Sequence, residues 1–174
     1  KKKKTPDGDR TMNTFLGACA ELGPEDIDED LIKSAKLTYM EGYLWDRPEA
    51  KDAFIKAAKV AHEAGRQVSI SLSDSFCVDR HRESFRDLVH NHIDVLFANE
   101  DEIKSLYEVE TFEEALAEVR KHCKVAALSR SEKGAVIVSD NELYEISAEP
   151  VARVLDTTGA GDLFASGFLY GYTT

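Results

Sequence analysis

Three short stretches carry residue types that could do chemistry. The first is Asp156-Thr157-Thr158-Gly159-Ala160-Gly161-Asp162, set between a β-favouring run (Val151 to Leu155) and an apolar, helix-like run. Gly159 and Gly161 let the backbone approach a ligand closely. A helix that starts there presents N–H groups with no acceptor inside the helix, which together make an anion site. Asp162 falls in the first turn. A carboxylate there can simply be a partner of the helix dipole, worth a few tenths to about 1 kcal/mol. It can also be a general base beside an anion hole formed by Gly159, Ala160 and Gly161. The base then takes a proton from a hydroxyl while the N–H groups hold charge on a phosphoryl group in transit.

The second stretch is Asn99-Glu100-Asp101-Glu102, whose ends have the spacing of a helix capping box. The third is Ser129-Arg130-Ser131-Glu132-Lys133-Gly134, a turn between two apolar runs. Asp74, just past another apolar run, either contacts a ligand or caps the next helix. Other phosphate motifs fail. There is no G-x-x-x-x-G-K-[ST], and Phe164 stands where G-x-G-x-x-G needs its last glycine.

These stretches need elements to position them. Pro48 to Gly65 places apolar residues on one helical face, opens with proline and closes on glycine. Residues 36–45 read as a strand and its exit, and 67–73 as an alternating strand. A helix is expected from Arg80 to His92, a buried strand at 94–99, and a short helix after it. Thr111 and Glu114 form a capping box that opens a helix burying Phe112, Ala115, Leu116, Val119 and Cys123. Residues 124–129 read as a strand. Residues 134–140 and 142–147 read as a hairpin over Asp140-Asn141, and 151–155 as the last strand. Strands alternating with helices predict an α/β fold, a mostly parallel sheet with helices on both faces, in which ligands gather at the carboxyl ends of strands. All three stretches are expected at such ends. The N-terminal part differs: Asp7-Gly8 signals a turn, and the alternation from Arg10 to Leu16 suggests edge β-structure or a hairpin arm.

Composition narrows the function. With 22 basic and 33 acidic residues the net charge is −11, which disfavours nucleic acid as a partner. Lys1 to Lys4 is the lone basic block and is expected to be a solvated tail. Arg80-His81-Arg82 is expected on a solvated helix face. No apolar run reaches the ~18 residues of a membrane span. Cys19, Cys77 and Cys123 fit neither a disulfide framework nor a zinc site, so a reducing cytoplasm is expected. His90 and His92 lack helical metal-ligand spacing and are expected at the surface. The chain opens in a turn-like segment and ends soon after a glycine-rich helix. It is expected to be a piece of a longer protein.

The motifs, taken in order, resemble the PfkB, or ribokinase-type, carbohydrate kinases. Residues 156–168, DTTGAGDLFASGF, are similar to that family's carboxyl-terminal signature. Asn99 to Glu102 resembles its N-x-x-E motif. Residues 129–134 resemble its T-x-G-x-x-G nucleotide loop, with Ser129 for threonine and Ser131 for glycine. Residues 71–76 followed by 92–102 resemble the adenosine-kinase branch, and 7–18 a segment near the substrate lid.

The resemblance implies a ribokinase-like fold with a remnant of a β lid: residues 1–22 as the lid or edge segment and 23–174 as a partial kinase domain. It implies ATP- and Mg²⁺-dependent phosphorylation of a hydroxymethyl group on a small molecule, adenosine first and a sugar as alternative. A monovalent cation and a homodimer through the lid also belong to that picture. Asp162 would be the base, with Gly159, Ala160 and Gly161 as the anion hole. Asn99 and Glu102 would organise Mg²⁺ through water. Ser129, Ser131, Gly134, Asp156 and Thr158 would border the nucleotide. The family's sugar-holding glycine pair and much of its adenine pocket have no counterpart in this chain, which alone is expected to bind substrates poorly. The alternative of another class is a non-catalytic remnant that binds a nucleotide or a partner.

Overall fold

In this computed structural model residues 15–174 are described in full, together with the backbone of Lys2–Lys4 and Arg10–Met12. The turn expected at Asp7-Gly8 lies outside the described residues. β1 (Lys2–Lys4) pairs antiparallel with β2 (Arg10–Met12) as a separate two-stranded sheet, Lys2 opposite Met12. The expected lysine tail is therefore a strand. Strand pairing is a backbone property, and a lysine-rich sequence suits an open edge.

Asp28 caps α1 (Glu29–Ser34) by accepting from the Leu31 N–H at 3.0 Å. Then come β3 (Leu37–Glu41), α2 (Pro48–Glu63), β4 (Gln67–Ser71), α3 (Ser75–His92), β5 (Val95–Asn99) and α4 (Glu100–Tyr107). They are followed by α5 (Phe112–His122), β6 (Val125–Ser129), β7 (Ala135–Ser139), β8 (Glu142–Ile146) and α6 (Ala160–Thr173). Among the described residues β3 to β8 form one sheet in sequence order. Its first four strands are parallel, and β7 and β8 return antiparallel. This is the expected α/β architecture.

Both faces of the sheet are covered except at β8. β5 reads as a continuous apolar run because alternate residues face opposite layers. Leu96 and Ala98 pack with Phe85 and Leu88 of α3, Ile103 and Leu106 of α4, and Phe112 of α5. Val95 and Phe97 pack with Phe164, Ala165 and Phe168 of α6. In α2, Ala53, Ala57, Ala58 and Ala61 are buried in the same stripe as Phe54, so the helix lies close to the sheet. The expected capping box of α5 is present, with Thr111 and Glu114 bonded to each other's backbone. Asp140 and Asn141 take φ of 47° and 70°, the left-handed pair that a two-residue hairpin turn requires.

Two expectations need correction. Val151 to Leu155 is not a strand: it belongs to an irregular connection between β8 and α6, with Val151, Val154 and Leu155 exposed. β-branched residues form a strand only where a neighbour supplies backbone partners and a face to pack on, and β8 is itself fully exposed. α3 starts at Ser75, not Arg80, because Asp74 caps it by accepting from the Phe76 N–H at 2.7 Å. The sequence break that suggested a later start survives as a kink at His81, where φ is −130°.

Candidate active site

Helix α6 is held at its C-terminus and at its middle. At its C-terminus Lys36 Nζ donates to the Thr173 carbonyl at 2.6 Å and Gln67 Nε2 to the Tyr172 hydroxyl at 2.8 Å. Lys36 and Gln67 stand where β3 and β4 begin, so the helix runs against the strands and its N-terminus lies over their carboxyl ends. Midway, the rings of Phe164 and Phe168 meet Phe97 edge-on, at centroid distances of 6.5 and 5.4 Å. Residues i and i+4 share a helix face, and fixing that pair fixes the rotation of Asp162.

Gly159 is the N-cap of α6 at φ +75°, a left-handed turn that suits glycine. Ala160, Gly161 and Asp162 form the first turn. A Cβ on Gly161 would meet nothing within 4 Å, so the space before the turn is open. Upstream, the Thr158 N–H donates to Asp156 Oδ1 at 2.9 Å, an Asx turn that leads the chain into the helix. The expected glycine turn and helix start are both present. What precedes them is this connection rather than a strand.

Asp162 lines an open pocket of about 530 Å³ with Tyr39, Glu41, Ala165, Ser166, Leu169, Tyr170 and Thr173. The Tyr39 hydroxyl donates to Glu41 Oε1 at 2.6 Å, and the Ser73 hydroxyl to Glu41 Oε2 at 2.7 Å. Ser73 holds this position at φ +68°, a strained conformation for a residue with a side chain. Burial pushes the Tyr39 phenol above its usual range, and the carboxylates of Glu41 and Asp162 push it the same way. Gly42 follows because the chain leaves β3 against β4: a Cβ there would meet the carbonyl oxygens of Ser71 and Leu72 at 2.8 and 2.7 Å.

Asn99 and Glu102 sit at the end of β5 and in the first turn of α4. Glu102 is 7% exposed. Burial raises its carboxyl to about 7, against the hydrogen bond from the Asn99 backbone; the charges of Asp74, Glu41 and Asp101 add to the rise. The carboxyl ends of β3, β4 and β5 thus bring Glu41, Asp74 and Glu102 near enough for the first two charges to bear on the third. Among the described residues no three His, Cys, Asp or Glu side chains are gathered to hold a metal ion directly. The cluster offers hard carboxyl oxygens, which fit a hydrated divalent cation.

β5 and β6 pair Asn99 with Ser129, so the N-x-x-E motif and the 129–134 loop are neighbours. Ser131 takes φ +51°, the left-handed turn where a glycine would be at ease, so the loop keeps its shape with a serine. Gly134, at φ +93°, is irreplaceable on steric grounds: a Cβ would lie 1.9 Å from the Ile146 carbonyl oxygen. Asp74 does cap α3, and its charge also bears on Glu102. Arg80, His81 and Arg82 are engaged by Asp46, Asp79 and Glu108 along the outside of α3. His90 is not simply a surface residue: its ring stacks on His122 with centroids 3.9 Å apart. Tyr39, Glu41 and Ser73 were not singled out in the sequence. The signal available was a glutamate at a strand exit before glycine.

A sequence profile of the pfkB family carbohydrate kinases matches residues 3–174. The chain belongs to the pfkB family of carbohydrate kinases. Among solved structures, one described as a "probable sugar kinase protein" from Rhizobium etli CFN 42 is 55% identical with a TM-score of 0.95, covering 99% of this chain and 52% of that one. An adenosine kinase from Sinorhizobium meliloti is 51% identical with a TM-score of 0.95, covering 99% of this chain and 53% of that one. The adenosine kinase of Saccharomyces cerevisiae is 27% identical over 94% of this chain and 52% of its own length. This pfkB chain spans about half the length of the curated relatives it matches.

Proposed function

We propose that the protein carrying this chain phosphorylates the hydroxymethyl group of a nucleoside, adenosine first, with ATP and Mg²⁺. The observation that carries the reading is the meeting of a glycine-opened helix N-terminus and Asp162 with the carboxylates of Glu41, Asp74 and Glu102 at one end of the sheet. The likeness to the Sinorhizobium adenosine kinase supports the acceptor.

Mg²⁺-ATP, when bound, supplies the phosphoryl group and neutralises its charge. Asp162 takes the proton of the acceptor hydroxyl onto its carboxylate, leaving that oxygen nucleophilic. The N–H groups where α6 opens, at its N-cap Gly159 and at Ala160 and Gly161, hold negative charge where it develops, the Ala160 N–H being shared with the Thr157 carbonyl at 3.2 Å. Asn99 and Glu102 would hold the hydrated cation, whose charge would offset the carboxylates of Asp74, Glu41 and Asp101 around Glu102. Ser129, Ser131, Gly134, Asp156 and Thr158 border the nucleotide. The separate β1–β2 sheet, within residues 1–22, is a stub of the lid over the acceptor; residues 23–174 are part of the kinase domain. Lid strands pairing between two copies would make a homodimer. Its three cysteines are unpaired, and the reducing cytoplasm is its proposed compartment.

A second reading, a sugar kinase of the ribokinase or ketodeoxygluconate kinase kind, is favoured by the likeness to the Rhizobium protein. The test is coupled ADP release with Mg²⁺-ATP and adenosine, ribose, fructose or ketodeoxygluconate, using the protein that carries this chain. Adenosine-dependent release supports the first reading, and release with sugars alone moves the protein to the second. No release with any of them leaves a non-catalytic remnant.

A further inference from the structure

The 129–134 loop reaches beyond its own turn through one side chain. Arg130 Nε donates to Glu100 Oε2 at 2.9 Å, and its guanidinium carbon lies 3.8 Å from the centroid of the Phe112 ring. Lys133 Nζ stands 3.4 Å from Glu100 Oε1. The same residue closes the loop's backbone: the Arg130 N–H donates to the Gly134 carbonyl at 2.8 Å, and the Lys133 N–H to the Arg130 carbonyl at 3.0 Å. At the other end of the bond, Glu100 directly follows Asn99 and lies two positions before Glu102, in the first turn of α4.

We propose that Arg130 is a positioning residue: by clamping the 129–134 loop to α4 through Glu100 it sets how the loop grips the nucleotide. The inference rests on the kinase reading above. An exposed ion pair would contribute little, but this one is sheltered, with side chains 21% and 23% exposed. The guanidinium is stacked on an aromatic face, and the carboxylate has a second cation beside it. Arg130 draws the Glu100 carboxyl below its usual range chiefly through their hydrogen bond. A planar guanidinium can stack and donate sideways at once, which lysine cannot do. The clamp joins the nucleotide loop to the cation motif, so slack in it would be felt as poorer nucleotide binding with the chemistry intact.

The test compares wild type with Arg130→Ala, Arg130→Lys and the double variant Glu100→Gln/Arg130→Ala, in the protein that carries this chain. Steady-state kinetics are read together with hydrogen exchange over 129–134. For Arg130→Ala we expect the KM for ATP to rise about tenfold with kcat within about twofold, the mark of lost uniform binding. The acceptor KM stays put and exchange in the loop speeds up. Arg130→Lys recovers part of the loss, and the double variant is no worse than Arg130→Ala alone. An unchanged KM for ATP, whatever happens to the melting temperature or the exchange, overturns the proposal and leaves the kinase reading standing. Absence of ATP-dependent turnover in the wild type removes that reading, and this inference with it.

Discussion

Asn99 and Glu102 bond to each other three times. Asn99 Oδ1 accepts from the Glu102 N–H at 2.8 Å, Glu102 Oε2 from the Asn99 N–H at 2.9 Å, and Glu102 Oε1 from Asn99 Nδ2 at 2.7 Å. The cap and the proposed cation role are thus compatible: the cap holds a buried carboxylate in one orientation at the end of β5. In Glu102→Gln the amide oxygen can accept from the Asn99 N–H or from Asn99 Nδ2 but not from both, and the bond lost is offset by removing a buried carboxyl from among like charges. We expect the melting temperature in EDTA to be kept, while the Mg²⁺ concentration for half-maximal turnover rises about tenfold, as for a lost charged ligand. A Mg²⁺ titration of ADP release beside a melt in EDTA checks both halves.

Asp162→Asn preserves size and the helix turn but cannot take a proton. Turnover is expected to fall by about 10²- to 10⁴-fold, the usual worth of a positioned base, with ATP affinity little changed. Near-normal turnover would remove Asp162 from the base role.

The 129–134 loop offers a paired test of backbone strain. Ser131 sits at φ +51° and Gly134 at φ +93°. Ser131→Gly relieves a left-handed cost of about 1–2 kcal/mol, of which roughly half is returned through the freer unfolded chain, so a gain of about 0.5–1 kcal/mol is expected. Gly134→Ala drives a methyl into the Ile146 carbonyl oxygen and should cost at least about 3 kcal/mol. Denaturant midpoints measure both.

His90 should contribute to the pH response between pH 7 and 5, against the opposite contribution of Glu102, whose raised carboxyl takes up its proton over the same range. The burial of His90, then the nearby charges of His122 and Arg86, hold its pKa below the usual value; Asp87 and Glu118 pull the other way. The Tyr107 ring closes the stack. A histidine that binds its proton more weakly when folded contributes stability above its unfolded pKa of about 6.5. That contribution is lost as pH falls through the folded pKa. His90→Phe keeps a ring in the stack and removes the proton. The wild-type melting temperature should therefore drop relative to the variant's between pH 7 and 5. Parallel slopes would rule His90 out.

What the sequence disclosed depends on how local the cause is. Pro48 with its alanine stripe, the Thr111 and Glu114 cap, and Asp140-Asn141 each act within a few residues and stand where expected. The glycine turn before Asp162 is equally local. Val151 to Leu155 failed because strand formation needs a partner that propensity does not reveal. Lys2–Lys4 failed for the converse reason, since Arg10–Met12 supplies a partner that charge concealed. Tyr39, Glu41 and Ser73 join only when β3 and β4 lie side by side, and nothing in their one-dimensional spacing announces it. Arg130 and Glu100, thirty positions apart, needed the pairing of β5 with β6.

The reversal of direction after β6 carries one more consequence. Each parallel step of the sheet needs a helical crossover that runs over the outside, where added residues can bulge into water. The antiparallel step from β6 to β7 has only residues 130–134, closed on themselves and pressed against Ile146. Residues added at a crossover would extend into water, whereas an insertion at this corner would break the bonds that close the loop from Arg130 to Gly134. A change of residue identity asks for less, as a serine holding a left-handed turn at 131 shows.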